Sequence, residues 1–338
     1  MIDVTVVVPT HNRRRLVSQA VDSILCQGGV AVELIVVDDG STDGTGPWLE
    51  HIVAKDPRVK VVRHARPRFV SWARNAGIAA ASGRWIAFCD DDDLWAPSKL
   101  TEQLAALRTT GARWGCTGMI VVDECLEIIG HHHVAGGQVL SGLLQTNGIP
   151  SGSSVIAERS LLQETGGFDP ALPGSEDWDL WIRLAQRSPL AAVNRPLIAY
   201  RLGTQSLSMD VSRMRAGYST IIERYAALAA AYGVEPQEAL HERYLARQLL
   251  RAGSRRQAAA IFTTLALKHG RWREVPRTVA ALVAPRLTDH LGQARARAAV
   301  PPAWRRDSEV WLRAIRDADF VDVLYEADIG ADTVGVRV

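Results

Sequence analysis

The first hundred residues alternate between continuous apolar, β-branched runs and segments of helical periodicity, and three of the four apolar runs end in a polar cluster. Val4–Val8 is closed by Pro9. An i, i+4 apolar stripe follows at Leu16/Val17, Ala20/Val21 and Ile24/Leu25, with Asn12 predicted as its N-cap. Leu34–Val37 leads into Asp38-Asp39-Gly40-Ser41 and an amphipathic stretch around Trp48–Ala54. Val59–Val62 precedes a helix over Ala73–Ala81, and Trp85–Cys89 runs straight into Asp90-Asp91-Asp92-Asp93. Strands apolar at every position are buried on both faces, and their alternation with helices predicts an α/β fold with a mainly parallel, doubly wound sheet. Ligands in such sheets bind beyond the carboxyl ends of the strands. The loops Pro9–Asn12, Asp38–Ser41 and Asp90–Asp93 are therefore expected on one rim.

The remaining sequence is less regular. Residues 113–203 mix short strands, Gly-rich loops and one helix over Trp178–Gln186. Beyond Gln205 the sequence turns helical and rich in Ala and Arg, until Pro301-Pro302 breaks it before a final helix and an irregular end. Hydrophobic residues at 47% and charged residues at 22% are ordinary globular usage, which argues against disorder. The four cysteines are scattered without a C-x-x-C pair, so neither a zinc ribbon nor a disulfide framework is expected, and a reducing compartment suits them. Asp3 interrupts the first apolar run and Arg13-Arg14-Arg15 follow it, which is unlike a signal peptide. No apolar stretch suits a bilayer span. A soluble, cytoplasmic chain is expected. Its net charge is only +2, yet Glu235–Arg316 holds 16 Arg/Lys against 7 Asp/Glu. That basic segment is a candidate for peripheral contact with an anionic membrane face, against the plainer reading of solvated arginines on amphipathic helices.

The tetra-aspartate is the sharpest chemical feature. Adjacent carboxylates repel, so they persist at a buried strand end when a cation is bound or water screens them; hard divalent ions with oxygen ligands fit, and these bridge to substrate phosphates. Asp38-Asp39 reads either as an ordinary turn or as a carboxylate that hydrogen-bonds a base or sugar. Arg74-Asn75 lies early in a helix. Glu176-Asp177 precedes Trp178 and Trp181, and reads either as a helix cap or as a general base whose pKa the nearby indoles and Glu176 raise. The two indoles are expected to form an apolar acceptor wall. His131-His132-His133 lacks partners at metal-ligand spacing and is expected to be a polar loop.

The segments VTVVVPTHN (Val4–Asn12), LIVVDDGSTD (Leu34–Asp43), ARNAG (Ala73–Gly77) and IAFCDDDDLWAP (Ile86–Pro97), followed by GGFD (Gly166–Asp169) and SEDWDL (Ser175–Leu180), resemble the motifs of inverting glycosyltransferases of family 2. The resemblance covers about residues 3–203. It implies a GT-A fold, Rossmann-like and mainly parallel, with residues 1–112 binding the nucleotide sugar, 113–204 on the acceptor side and 205–338 a helical extension that does not touch the donor. It also implies a UDP-type nucleotide-diphospho-sugar donor and an Mn²⁺ or Mg²⁺ cofactor. The acceptor stays open among glycan, lipid, peptide and small metabolite, and no nucleic acid is implied. Carried over by position, Pro9, Thr10, His11, Asn12 and Asp39 hold the base, with Asp38 the alternative carboxylate. Arg74 approaches the base or diphosphate, and Asp90 and Asp91 belong to the donor site. Asp92 is the metal ligand and Asp177 the catalytic base. Three departures stand out. Gly203 occupies a position where the family often has a metal-binding histidine, His11 replaces a common aromatic residue, and no Q-x-x-R-W motif follows Asp177, which argues against a processive polymerase. The competing readings are a metal-dependent nucleotidyltransferase or phosphatase, disfavoured by the lack of a Gly-rich phosphate loop, and a degenerate scaffold that only binds a partner.

Overall fold

In the computed structural model, residues 2–203, 210–268, 270, 272, 275–283 and 293–317 are described. The predicted alternation is present: β1 (Val4–Thr10), α1 (Arg14–Leu25), β2 (Val32–Asp38), α2 (Thr45–Lys55), β3 (Val59–Arg63), α3 (Val70–Ala80) and β4 (Trp85–Phe88). Then come β5 (Leu94–Trp95), α4 (Lys99–Thr110), β6 (Trp114–Val122), β7 (Ile128–His132), the short helices α5 (Leu140–Leu143) and α6 (Arg159–Glu164) flanking β8 (Ile156–Glu158), α7 (Glu176–Ala185) and β9 (Leu190–Arg201). One sheet runs in the order β3-β2-β1-β4-β8-β6-β9-β5, with β7 beside β6. β3, β2, β1 and β4 are mutually parallel, and β8 is antiparallel to both β4 and β6. Thr10 pairs with Asp38 and Asp38 with Arg63, so these strands end level with one another. The three polar loops accordingly share one edge.

Both faces of the sheet are buried, which explains the unbroken apolar runs. Val7, Ile35, Val37 and Ile86 pack into the core on one face, and Val6, Val8, Leu34 and Val36 into the core on the other. Gly77 of α3 sits so close to β1 that a Cβ would lie 2.3 Å from a methyl of Val7. At the opposite edge from the loops, buried Glu33 ties three elements together. It accepts from Thr5 Oγ1 (2.6 Å), Ser82 N and Oγ (2.9 and 2.8 Å) and Lys60 Nζ (2.5 Å).

Three local expectations change. Asn12 is not the N-cap of α1: Arg13 holds that boundary, while Asn12 adopts a left-handed φ of +53° and bonds across to the next loop. Its amide N–H donates to Ser41 Oγ and its side-chain oxygen accepts from Thr42 N. Helix α7 begins at Glu176, two residues before the predicted start, so Asp177 lies in its first turn. His131 and His132 belong to β7 rather than a loop, and the His133 ring lies 4.4 Å from that of Trp304.

The helical region comprises α8 (Val211–Ala231), α9 (Glu238–Arg251), α10 (Arg255–Lys268), α11 (Val275–Val283) and α12 (Pro302–Asp317), with residues 293–299 also helical. The boundary at residues 204–205 and the irregular end, residues 318–338, lie outside the described residues. The extension is not detached. Ile221 and Ala229 of α8 join the core beneath α7, and Trp304, Trp311 and Leu312 of α12 pack with Ile120, Val122 and Leu197 of the sheet. Helices α9 and α10 form a hairpin with its own small core.

The Glu33 carboxyl gives a stability prediction. Burial opposes its ionisation, yet the donors of Lys60, Thr5 and Ser82 outweigh this and bring it down from 4.5 to about 2. A carboxyl held lower in the folded than in the unfolded chain contributes stability that is complete above pH 4.5 and lost as pH falls from there toward 2. At 1.36 kcal/mol per unit this amounts to about 3 kcal/mol. In urea titrations between pH 6 and 3, wild type should weaken steeply below pH 4.5. Glu33→Gln should be weaker at pH 6, and its deficit relative to wild type should narrow as pH falls below 4.5.

Candidate active site

The rim is built from the carboxyl ends of β1, β2 and β4, and it forms one side of a cleft of about 1080 Å³. On the β1–β2 side, the His11 ring bonds the Asp39 carbonyl oxygen at 2.9 Å. The Asp39 carboxylate lies at the cleft but is fully engaged by its own loop: it accepts from Arg68 N and Phe69 N, both at 2.9 Å, and pairs with His64 Nδ1 at 2.6 Å. It thereby pins the segment 64–69, which ends at exposed Phe69 with a φ of +70°. Asp38, the alternative carboxylate, does not line the cleft. It is buried beneath the loop, accepts from Ser41 N and sits 3.8 Å from Arg63.

The four aspartates after β4 split three ways. Asp90 takes Arg74 Nη2 at 2.7 Å and keeps the most open carboxylate of the four. Asp91 accepts from Thr10 Oγ1 at 2.8 Å and, together with Asp92, from Arg13 Nη1, both at 2.9 Å. Asp93 turns inward with no exposed surface and accepts from Arg201 N and Ser151 Oγ. Burial, then Asp91 and Asp90, push the Asp92 carboxyl up to about 7 against the pull of Arg13. Burial also raises Asp91 and Asp93. Without a further cation these buried carboxyls lean toward the neutral, protonated form.

A hard divalent cation would favour their ionised form, and oxygen ligands of this kind suit one. Asp90 and Asp92 offer oxygens at the cleft, while Asp91 is spent on Thr10 and Arg13 and Asp93 faces the interior. Among the described residues no three His, Cys, Asp or Glu side chains converge in ligating geometry. An ion here would rest on one or two carboxylates, the remaining positions falling to water and phosphate oxygens. A Cβ at Gly203 would meet no described atom within 4 Å.

Arg74 joins this rim to the other half of the site. Its guanidinium is buried, bonds Asp90, reaches Glu176 Oε1 at 3.3 Å and lies over the Phe168 ring. Its Nε has no hydrogen-bond partner. Glu176 and Asp177 open α7 after Ser175, which holds a left-handed φ of +59°. Asp177 Oδ1 accepts from Trp178 N at 2.6 Å. Burial first, then Glu176, push the Asp177 carboxyl up to about 6, with Arg74 opposing. Asp179 is a different matter. It is fully buried and accepts from Arg183, Arg224 and Tyr225, which makes it a packing anchor between α7 and α8.

The expected indole wall is half right. Trp178 borders the cleft, its Nε1 donating to Leu143 O, whereas Trp181 is a core residue stacked 6.1 Å from Trp114. The opposite wall comes from α8 and α9 of the helical extension, through Arg213, Tyr218, His241 and Arg251 among others. Sequence reasoning did not place these at the site; nor did it find Arg13, whose arginine run was read only against a signal peptide.

Comparison with known proteins agrees with this geometry. Residues 5–158 match the family described as Glycosyl transferase family 2, and residues 129–259 the one described as Glycosyltransferase like family 2, so the likeness extends into α10. The chain is 30% identical over 210 residues to the putative teichuronic acid biosynthesis glycosyltransferase TuaG of Bacillus subtilis, covering 61% of this chain and 82% of that protein. It is 28% identical over 209 residues to the Escherichia coli protein UDP-Glc:alpha-D-GlcNAc-diphosphoundecaprenol beta-1,3-glucosyltransferase WfgD, covering 61% of this chain and 80% of the relative. An uncharacterized glycosyltransferase of Rickettsia felis is 30% identical over 221 residues, 64% of this chain, and there the chain spans only 36% of the relative's length. Among solved structures, S. aureus TarS 1-349 gives a TM-score of 0.52 at 19% identity, covering 93% of this chain and 92% of that one. Mannosyltransferase PcManGT from Pyrobaculum calidifontis, in complex with GDP-Man and Mn²⁺, gives 0.53 at 20%, covering 89% and 87%. These structural likenesses carry the fold alone, and that fold is GT-A. With the family motifs standing on the rim that the sheet order dictates, the chain belongs to glycosyltransferase family 2.

Proposed function

We propose that this chain transfers a sugar from a nucleotide-diphospho-sugar, of UDP type, to an acceptor hydroxyl in one inverting, non-processive displacement. The observation that carries the reading is Asp177: a cleft carboxylate raised to about 6, linked through Glu176, Arg74 and Asp90 to the acidic rim. TarS has been solved with UDP and with UDP-GlcNAc, and PcManGT with GDP-Man, which supports a nucleotide-sugar donor.

In this reading the donor lies along Pro9–Asn12 and Asp39, its diphosphate toward Asp90, Asp91, Asp92 and Arg74. Asp90 and Asp92 would hold the divalent cation, which when bound would supply Lewis-acid neutralisation of the leaving diphosphate. Asp177 accepts the proton of the acceptor hydroxyl as that oxygen bonds the anomeric carbon from the face opposite the leaving group. The bond from that carbon to the diphosphate oxygen breaks, and its electron pair departs with the nucleoside diphosphate. Inversion follows from the single displacement. Arg74 pairs with Glu176 at 3.3 Å, leaving Asp177 as the base. No described helix is long and apolar enough to cross a membrane. We place the reaction in the cytoplasm, against the inner membrane face where the acceptor is lipid-linked, as it is in the name of WfgD.

Asp177→Asn should lower kcat by about 10²–10⁴-fold with nucleoside diphosphate affinity unchanged. Because Asp177 must be ionised to accept a proton, wild-type kcat should fall as pH drops through about 6. Near-wild-type turnover in Asp177→Asn, with loss in Glu176→Gln, would name the wrong carboxylate. For the metal, excess chelator should abolish transfer and added Mn²⁺ or Mg²⁺ restore it, and Asp92→Ala should weaken nucleotide-sugar binding as well as rate. Full activity in chelator would remove the metal from the proposal.

A further inference from the structure

The wall opposite the donor rim belongs to the helical extension, and its chemistry differs from the rim's. Helix α9 is two-faced. Leu245, Ala246 and Leu249 are buried in the hairpin core with α10, while Leu240, Tyr244, Arg247, Gln248 and Arg251 recur at i, i+4, i+7, i+8 and i+11 along the cleft. The cleft that both walls border, about 1080 Å³, lies at the upper end of the usual range for ligand sites.

The wall is tied to the base. Gly217 of α8 abuts the loop before α7: a Cβ there would lie 2.5 Å from the Gly174 carbonyl oxygen and 2.9 Å from Ser175 Oγ. The Tyr218 ring lies 5.9 Å from Trp178, the residue after Asp177, and stacks on His241 at 3.8 Å. Among the described residues, Tyr218 Oη and His241 Nε2 have no hydrogen-bond partner. Burial and Arg215 lower His241 to about 4, so at neutral pH it contributes hydrogen bonding, not charge. Further along, the Arg251 guanidinium bonds only the Gln248 side-chain oxygen, at 3.1 Å, and no described carboxylate pairs with it. Where the rim presents aspartates, this wall presents Arg213, Arg247 and Arg251.

We infer that α8 and α9 form the acceptor subsite and that it takes a saccharide bearing a phosphate group, with the Tyr218–His241 pair beside the sugar and Arg247 and Arg251 at the phosphate. This rests on the transferase reading above and deepens it. Guanidinium groups suit phosphate by bidentate hydrogen bonding, and stacked rings offer a flat apolar face to a sugar. The phosphate could belong to a soluble glycosyl phosphate or to a lipid carrier, and the two sources share the chemistry.

The test is calorimetric titration of the full chain with Mn²⁺ and saturating UDP, or GDP if that binds instead, so that the donor phosphate sites are filled. The probes are glucose, glucose 1-phosphate, and geranyl phosphate in neutral detergent micelles. Glucose 1-phosphate or geranyl phosphate should bind without displacing the nucleotide, and glucose at least tenfold more weakly. Preference for the first phosphate assigns a soluble acceptor; preference for the second assigns a lipid-linked one. The double substitution Arg247→Gln/Arg251→Gln, on exposed positions, should weaken phosphate-probe binding at least tenfold with nucleotide affinity and Tm unchanged. Tyr218→Phe should weaken glucose 1-phosphate binding several-fold, and equal affinity would take Tyr218 out of the subsite. The inference fails if neither phosphate probe binds the nucleotide-loaded protein, or if the arginine variant binds them equally well. Absence of nucleotide binding would instead overturn the transferase reading itself.

Discussion

Four consecutive carboxylates at the end of a buried strand repel one another, and the site is arranged around that repulsion. At separations of a few ångströms in a partly dry rim, each pair of like charges costs more than it would in water. Arg13 answers Asp91 and Asp92, Arg74 answers Asp90, and Asp93 is turned into the protein where Ser151 and the Arg201 amide hold it. Burial and the neighbouring carboxylates still push Asp92 up to about 7 against Arg13. A divalent cation at such a rim would favour its ionised form.

Arg74 carries that constraint across the cleft. Placed early in α3, it reaches both Asp90 from β4 and Glu176 from α7, elements about a hundred residues apart in the chain. Burial and the neighbouring Glu176 push the Asp177 carboxyl up, and Arg74 opposes them. One guanidinium thereby couples the acidic rim to the start of α7. Asp179, two residues on, shows the contrast: three donors and complete burial make it an anchor for α8 rather than a base.

The helical extension changes how the site is read. Composition presents it as a basic appendage with solvated arginines. Its packing makes α8 a continuation of the core under α7, and makes α9 the far wall of the cleft. Close approach at Gly217 allows this, because no side chain fits between α8 and the Gly174-Ser175 loop.

Some of this was legible in the chain. Continuous β-branched runs have a single physical solution, a sheet buried on both faces, and the polar clusters that interrupt them then fall at its carboxyl edge. Local pattern therefore determined the parallel half-sheet, the three-loop rim and the candidacy of the tetra-aspartate and of Glu176-Asp177; the choice of Asp90, Asp92 and Asp177 within them came from the family resemblance. What tertiary structure decided are relations between residues remote in sequence: that Asp39 pins 64–69 while Asp38 lies beneath the loop, that Arg13 serves the aspartates, that Asn12 bridges loops instead of capping α1, and that Trp181 is core while Trp178 is wall. Periodicity says which face of a segment is buried, but not against what. A guanidinium's partner, a carboxylate's titration and the identity of a cleft's second wall are set by distances across the fold, and no spacing along the chain encodes them.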